Sequence, residues 1–250
     1  MNKSVYQYLI DIISSRGAVY AVLIDPDQKN DANIEKQVEA VNSGDVDLIL
    51  VGGSLMMDSR CHDRTRRIKE NSKVPVVFFP GGLSQLSPHF DAMFFMSILS
   101  GRNPHYLIGE QVVAAPIVHD MGIETIPTGY LLVNGGIPTT VQFMSNTTAI
   151  PANRPNIAVA HALAAQYLGM KLVYLEAGSG AQNPIPVEMV KMVTSCLEIP
   201  VIVGGGLRSP EAANQRVLAG ASIIVTGTII EENADAGIMK DFASAVHIKG

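Results

Sequence analysis

Apolar residues fall along this chain in short continuous runs rather than in strict alternation. Eight of the runs have strand length: Ala18–Ile24, Asp47–Val51, Pro75–Phe79, Ala92–Leu99, Glu124–Val133, Lys171–Leu175, Pro200–Val203 and Ile223–Thr226. A strand buried on both faces meets no water, so continuity is the pattern expected of a parallel sheet. Between most runs lie segments with helical spacing, among them Asn33–Asn42, Pro104–Met121, Pro186–Leu197 and Pro210–Leu218. Their starts carry helix-entry signals: Asp31, the pair Ser209-Pro210, and Pro186 in a first turn. Strands alternating with helices predict βαβ units. Eight such units close most simply into one α/β domain over residues 1–250, a (β/α)8 TIM barrel. A doubly wound sheet is the alternative, but it would want a GxGxxG turn after the first strand, where Asp25-Pro26-Asp27-Gln28 stands instead.

Two regions depart from the regular pattern. After the third strand, Pro80–Pro88 is too short for a full helix, so the barrel is expected to be modified around its third βα unit. A longer irregular stretch from Asn134 to Pro155 is a candidate lid or binding loop.

Composition narrows the function classes. Hydrophobic residues make up 47% and charged residues 16%, which excludes a disordered chain. The formal net charge is -5 and basic residues are scattered, so no nucleic-acid footprint is visible. The densest basic run, Arg64, Arg66, Arg67 and Lys69, reads as a solvated helix face. Cys61 and Cys196 lack metal spacing and read as reduced thiols of a cytoplasmic protein. The stretch Ser4–Ser15 is amphipathic without a signal-peptide core, and the longest apolar stretch, Ala92–Leu99, cannot span a bilayer. A soluble protein is expected, with membrane-surface contact left open should the substrate be a lipid.

In a barrel of this kind chemistry sits at the C-terminal ends of the strands. Those ends are rich in glycine, hydroxyls and carboxylates and hold no histidine or cysteine, which argues against Ser-His or Cys-His acyl transfer. The six histidines form no ligand spacing and read as structural or surface residues. Gly204-Gly205-Gly206 leads into a helix, and Gly227-Thr228 follows the last strand. Glycines let backbone N–H groups approach an anion, and a helix N-terminus favours negative charge, so these turns predict a phosphate site. The alternative is that they are tight turns only. Tyr174 and Glu176 fall on one face of the sixth strand. Glu176 could orient or deprotonate a hydroxyl, or be a structural carboxylate. Gly178, Ser179 and Gly180 could add donors to the same phosphate. Asp25 and Ser54 end the first two strands and offer hard oxygen ligands suited to Mg2+, with Asp27 further along the loop.

Together these motifs resemble the geranylgeranylglyceryl phosphate synthases, close to the branch called group II. The resemblance rests on Ile24–Asp27, Val51–Ser54, Pro75–Gly81, Tyr174–Gly180, Gly204–Ser209 and Gly227-Thr228, in order along nearly the whole chain. It implies a prenyltransferase that joins the 3-hydroxyl of sn-glycerol 1-phosphate to an allylic prenyl diphosphate, releasing diphosphate. By the same resemblance Asp25 and Ser54 are Mg2+ ligands, while Tyr174, Leu175, Glu176, Ala177, Gly178, Ser179, Gly180, Gly205, Gly206, Gly227 and Thr228 form the glycerol-phosphate cradle. Other branches carry a lysine two residues before the first aspartate, where this chain has Leu23. The resemblance further implies a homo-oligomer, a dimer or a hexamer built from dimers.

In this mechanism Asp25 supports diphosphate departure and Glu176 positions and deprotonates the attacking hydroxyl. Phe78, Phe79, Phe94, Phe95, Met96, Tyr106 and Tyr130 supply apolar surface for a prenyl groove, although each taken singly reads as core. Tyr106 is the candidate stop for a twenty-carbon chain, with a merely structural staple as the alternative. Two other functions remain open at this point. One is a sugar-phosphate isomerase or aldolase, for which a suitably placed acid-base pair or lysine is missing. The other is a non-catalytic prenyl-phosphate binding protein, which would have no use for Asp25 and Ser54.

Overall fold

A computed structural model describes residues 3–232 and 234–249. Eight parallel strands close into a barrel in sequence order. They are β1 (Val19–Ile24), β2 (Leu48–Val51), β3 (Val76–Phe78), β4 (Ala92–Ile98), β5 (Glu124–Leu132), β6 (Leu172–Glu176), β7 (Val201–Gly204) and β8 (Ile223–Thr226). Each falls within or beside one of the apolar runs, because the apolar faces of these strands are removed from water on both sides.

Period-two alternation sorts the strand residues into two cores. Ala21, Leu50, Phe94, Tyr174, Ile202 and Val225 point into the barrel, whereas Val22, Val51, Leu175, Val203 and Ile224 pack against the helices. Helix α1 (Val5–Arg16) adds Val5, Leu9 and Ile12 to the inner core. Its N-terminus is fixed by Glu124 at the start of β5, whose carboxylate accepts from the N–H groups of Val5 at 2.6 Å and Tyr6 at 3.0 Å. Helix α1 therefore stoppers the N-terminal end of the barrel. Leu9 is fully buried there, and Leu9→Ala would cost about 2–5 kcal/mol.

The outer layer includes α2 (Ile34–Ser43), α3 (Cys61–Asn71), α4 (Glu110–Met121), α5 (Thr140–Ser145), α6 (Pro155–Tyr167), α7 (Val187–Thr194), α8 (Pro210–Leu218), α9 (Thr228–Glu232) and α10 (Ala236–Val246). The third unit carries a single 3-10 turn, Leu83–Gln85, in place of a helix, so the modification expected there is present.

The structure also corrects several local expectations. Asp31 does not cap a helix: it sits inside a 3-10 turn, Gln28–Asn33, and accepts from Arg67 at 2.5 Å. Arg64 is fully buried rather than solvated. It makes a bidentate pair with Asp58 at 2.6 and 2.7 Å and donates to the Pro26 carbonyl at 3.2 Å, so the guanidinium is compensated inside the protein. The helix expected over Pro104–Met121 opens with a π-helical turn, His105–Gly109, before α4 begins. The stretch from Asn134 to Pro155 contains α5 and is drawn back to the barrel by a bridge between Val133 and Ile150.

Candidate active site

The alternation that fills the barrel also places the reactive groups. Beyond Ala21 and Leu23 the inward series of β1 reaches Asp25; beyond Leu172 and Tyr174 that of β6 reaches Glu176. Both carboxylates line one cavity of about 400 Å3 at the C-terminal end of the barrel. Ser179, Gly180, Gly205, Gly206, Gly227 and Thr228 line the same cavity, as do Ser54, Tyr174 and Tyr106. No histidine or cysteine is among its lining residues.

Glu176 is held low in this cavity. It pairs in register with Gly204 on β7, its Oε1 accepts from the Gly178 N–H at 2.6 Å, and the Tyr174 hydroxyl donates to its carboxylate. Neither partner carries a charge, and burial pushes its pKa up to about 7 against those two hydrogen bonds. Gly205 is required beneath it: its φ is +79°, and a Cβ there would lie 2.4 Å from Glu176 Oε1. The rings of Tyr174, Tyr130 and Phe79 pack together under the carboxylate, with centroids 5.4–6.3 Å apart.

Asp25 is buried differently. Its Oδ2 lies 3.3 Å from Lys29 Nζ, while its Oδ1 is buried with no hydrogen-bond partner. Burial raises its pKa to about 6, opposed by Lys29 and reinforced by Glu231 and Asp27. A Cβ on Gly53 would stand 2.5 Å from that oxygen, so glycine leaves the space beside it clear. The Gly53 peptide is clamped on both sides by Gln85, which donates to its carbonyl at 2.7 Å and accepts from its N–H at 3.2 Å. Asp27 is occupied otherwise, accepting from the Met57 N–H at 2.9 Å.

The cavity continues over the barrel rim to the outer face of β3 and β4. The third unit places no helix of its own on that flank, and Phe78, Met93 and Phe95 line the cavity together with Leu83, Leu86 and Ala114 of α4. The missing third helix is thus what makes room for an apolar groove. Tyr106 and Met144 flank it, with the Tyr106 hydroxyl 3.5 Å from the Met144 carbonyl.

Glycine-rich turns, one buried and one half-buried carboxylate and an apolar flank in one barrel invite comparison with known proteins. The chain matches the PcrB family over residues 10–246. It belongs to that family. A geranylgeranylglyceryl phosphate synthase of Chitinophaga pinensis is 43% identical over 247 residues, covering 99% of this chain and 97% of its own. The (S)-3-O-geranylgeranylglyceryl phosphate synthase of Thermoplasma acidophilum, solved in complex with sn-glycerol-1-phosphate, superposes with a TM-score of 0.89 at 38% identity, covering 98% of this chain and 99% of its own. The wild-type GGGPS of Thermoplasma volcanium superposes with a TM-score of 0.88 at 35% identity, covering 98% of each chain.

Most residues singled out from the sequence of this PcrB-family member meet in the cavity, but three do not line it. Leu175 is fully buried in the layer between barrel and helices, since strand alternation turns it away from Tyr174 and Glu176. Ala177 is buried in the same layer. Gly178 uses its N–H on Glu176. Among the proposed groove residues, Phe94 is fully buried inside the barrel and does not reach the cavity. Sequence reasoning missed Lys29, Gln85, Arg208 and Glu231. Lys29 had a signal, the spacing of four residues from Asp25; Gln85 and Glu231 meet the site only through the closure of the barrel.

Proposed function

We propose that this chain joins the 3-hydroxyl of sn-glycerol 1-phosphate to an allylic prenyl diphosphate, most simply geranylgeranyl diphosphate. The observation that carries the reading is one continuous cavity. It runs from the glycine cradle past Glu176 and Asp25 to the apolar flank left bare by the third unit. The relatives named geranylgeranylglyceryl phosphate synthase, and the T. acidophilum structure holding sn-glycerol-1-phosphate, support it. An isomerase or aldolase would have no use for the apolar flank.

Five carboxylates (Asp25, Asp27, Glu110, Glu176 and Glu231) and two cationic side chains (Lys29 and Arg208) line the cavity. Two phosphorylated substrates brought into such a field call for an added cation. Among the described residues no group of three or more His, Cys, Asp or Glu side chains is placed to hold a metal ion. The unpartnered Asp25 Oδ1 and the Ser54 hydroxyl do suit Mg2+, which takes few protein ligands and completes its shell with phosphate oxygens and water. Bound there, Mg2+ would neutralise charge on the leaving diphosphate.

The chain's own residues do the rest. The cradle fixes the phosphate, which points the far hydroxyl of the glycerol toward Glu176. The bond between the allylic carbon and the diphosphate oxygen breaks with its electron pair leaving on diphosphate. The hydroxyl oxygen bonds to that carbon, and its proton passes to Glu176. With a pKa of about 7, Glu176 is poised to accept that proton near neutral pH.

The reading includes a cytoplasmic homo-oligomer. Val112, Val113 and Ile117 of α4 are exposed, a face that a second copy could cover. No helix among the described residues is long and apolar enough to cross a membrane. Incubating the protein with Mg2+, sn-glycerol 1-phosphate and prenyl diphosphates of several lengths tests the function. The expected product is a prenylglyceryl phosphate identified by mass, formed with Mg2+ and not in EDTA. Absence of any such product, with the protein folded, would refute the reading.

A further inference from the structure

The cavity's two cations differ in what they touch. Arg208 is exposed and follows the cradle glycines on the chain. Lys29 stands between two carboxylates, 3.3 Å from Asp25 Oδ2 and 3.3 Å from Glu231 Oε2. Both separations exceed those of a charge-assisted hydrogen bond at its usual length of about 2.7–2.9 Å. The side chain is 55% exposed, and its four-carbon stem is flexible. The turn that carries it does not depend on these pairs. Neighbouring Asn30, which is buried, donates to the Asp25 carbonyl at 2.9 Å and to Glu231 Oε1 at 3.2 Å, and with the arginine pairs of Asp31 it pins the turn. Lys29 is therefore a cation on a free arm above a fixed loop. It rests on one oxygen of the carboxylate whose other oxygen has no partner.

Building on the prenyl-transfer reading, we propose that Lys29 is a diphosphate-binding residue that covers Asp25 until a divalent cation takes its place, then turns its ammonium to the incoming diphosphate. Two demands of charge lead to this. A divalent cation at Asp25 repels an ammonium 3.3 Å from the same carboxylate. A diphosphate beside Asp25 and Glu231 needs compensation, and Lys29 is the lining cation that stands between those two groups.

The proposal gives opposite signs in two binding measurements. Removing the ammonium takes away a competitor for Asp25, so Lys29→Met should bind Mn2+, read by electron paramagnetic resonance, at least as tightly as the wild type. The same variant should lose about tenfold or more in affinity for inorganic diphosphate, measured by calorimetry in Mg2+, the size of one lost charge-assisted hydrogen bond. Lys29→Arg should keep diphosphate affinity within a few-fold, and binding of sn-glycerol 1-phosphate should change little in either variant. Melting temperatures near the wild type, expected because Asn30 and Asp31 hold the turn, make the comparison valid, and Lys29→Gln gives a second neutral variant. Unchanged diphosphate affinity in both neutral variants would overturn the assignment. Weaker Mn2+ and weaker diphosphate binding together would overturn it as well, since Lys29 would then only hold Asp25 in place. Wild-type protein that bound neither phosphate ligand would instead refute the prenyl-transfer reading on which the proposal rests.

Discussion

The two ends of the barrel both hold buried or half-buried carboxylates, and they treat them in opposite ways. At the N-terminal end Asp47, Asp91 and Glu124 are each saturated. Asp47 accepts from Arg16, from His247 and from the Tyr20 N–H, each at 2.8 Å. Asp91 holds Lys69 at 2.6 Å and the Val76 N–H at 2.8 Å, and Glu124 caps α1. At the C-terminal end Asp25 keeps an oxygen with no partner, and Glu176 meets only an amide and a phenol. One end is built for stability. The other carries polar groups whose missing partners a ligand would supply, which is the division of labour expected of this fold.

Substitutions at the two ends should therefore fail in different ways. The largest effect on turnover is expected from Asp25→Asn, which removes the charge that, on the proposed function, would recruit a cation. A loss of about 10³-fold, the kinetic equivalent of roughly 4 kcal/mol, should appear in steady-state assays while circular dichroism stays native. Glu176→Gln should lower turnover by about 10²-fold, with the affinity for sn-glycerol 1-phosphate less affected. In the wild type, kcat/KM should rise with pH through about 7, as Glu176 loses the proton it must lack to act as a base. Asp47→Asn should do the reverse: turnover within about twofold of wild type, but a stability loss of about 3 kcal/mol and a Tm lower by roughly 6–12 °C in thermal melts. The smallest effect belongs to the cavity flank. Tyr106→Ala should leave geranylgeranyl diphosphate nearly as good a substrate while admitting longer prenyl diphosphates, a shift read from product masses. Rejection of longer chains by a folded variant would move the length stop elsewhere.

The same contrast explains how much could be read from the sequence. Continuous apolar runs mark all eight strands because burial on both faces leaves few polar positions. Glycines at the ends of β6, β7 and β8 mark turns that line the cavity, where glycine lets backbone N–H groups approach an anion. Alternation already separates Leu175 from Tyr174 and Glu176, and a stricter use of it would have kept Leu175 out of the cradle. Arg64 was illegible for a different reason. Its partner Asp58 lies in the loop just before its helix, but Asp31 and the Pro26 carbonyl come from the loop after β1 and reach it only through the pairing of β1 with β2, so nothing in its own helix distinguishes it from Arg66. Gln85 is similar, since its clamp on Gly53 spans two separate βα loops. The groove itself was half visible. The short segment after the third strand showed that a helix was missing, but not that the apolar flank would join the mouth of the barrel.

The central claim is that the C-terminal end gives up stability for chemistry, and Glu176 tests it most directly. Its folded pKa of about 7 stands above the ordinary 4.5 of a glutamate. The folded protein therefore holds a proton that the unfolded chain releases, and stability falls as pH rises from about 4.5 to about 7. The full penalty above that range is on the order of 3 kcal/mol. Glu176→Gln removes it. Thermal melts of wild type and variant at pH 8 and at pH 4.5 should show the variant more stable at pH 8, by several degrees, with the gap closing at pH 4.5. A variant no more stable than wild type at pH 8 would contradict the account, because it would mean that the buried carboxylate is already fully satisfied without its substrate.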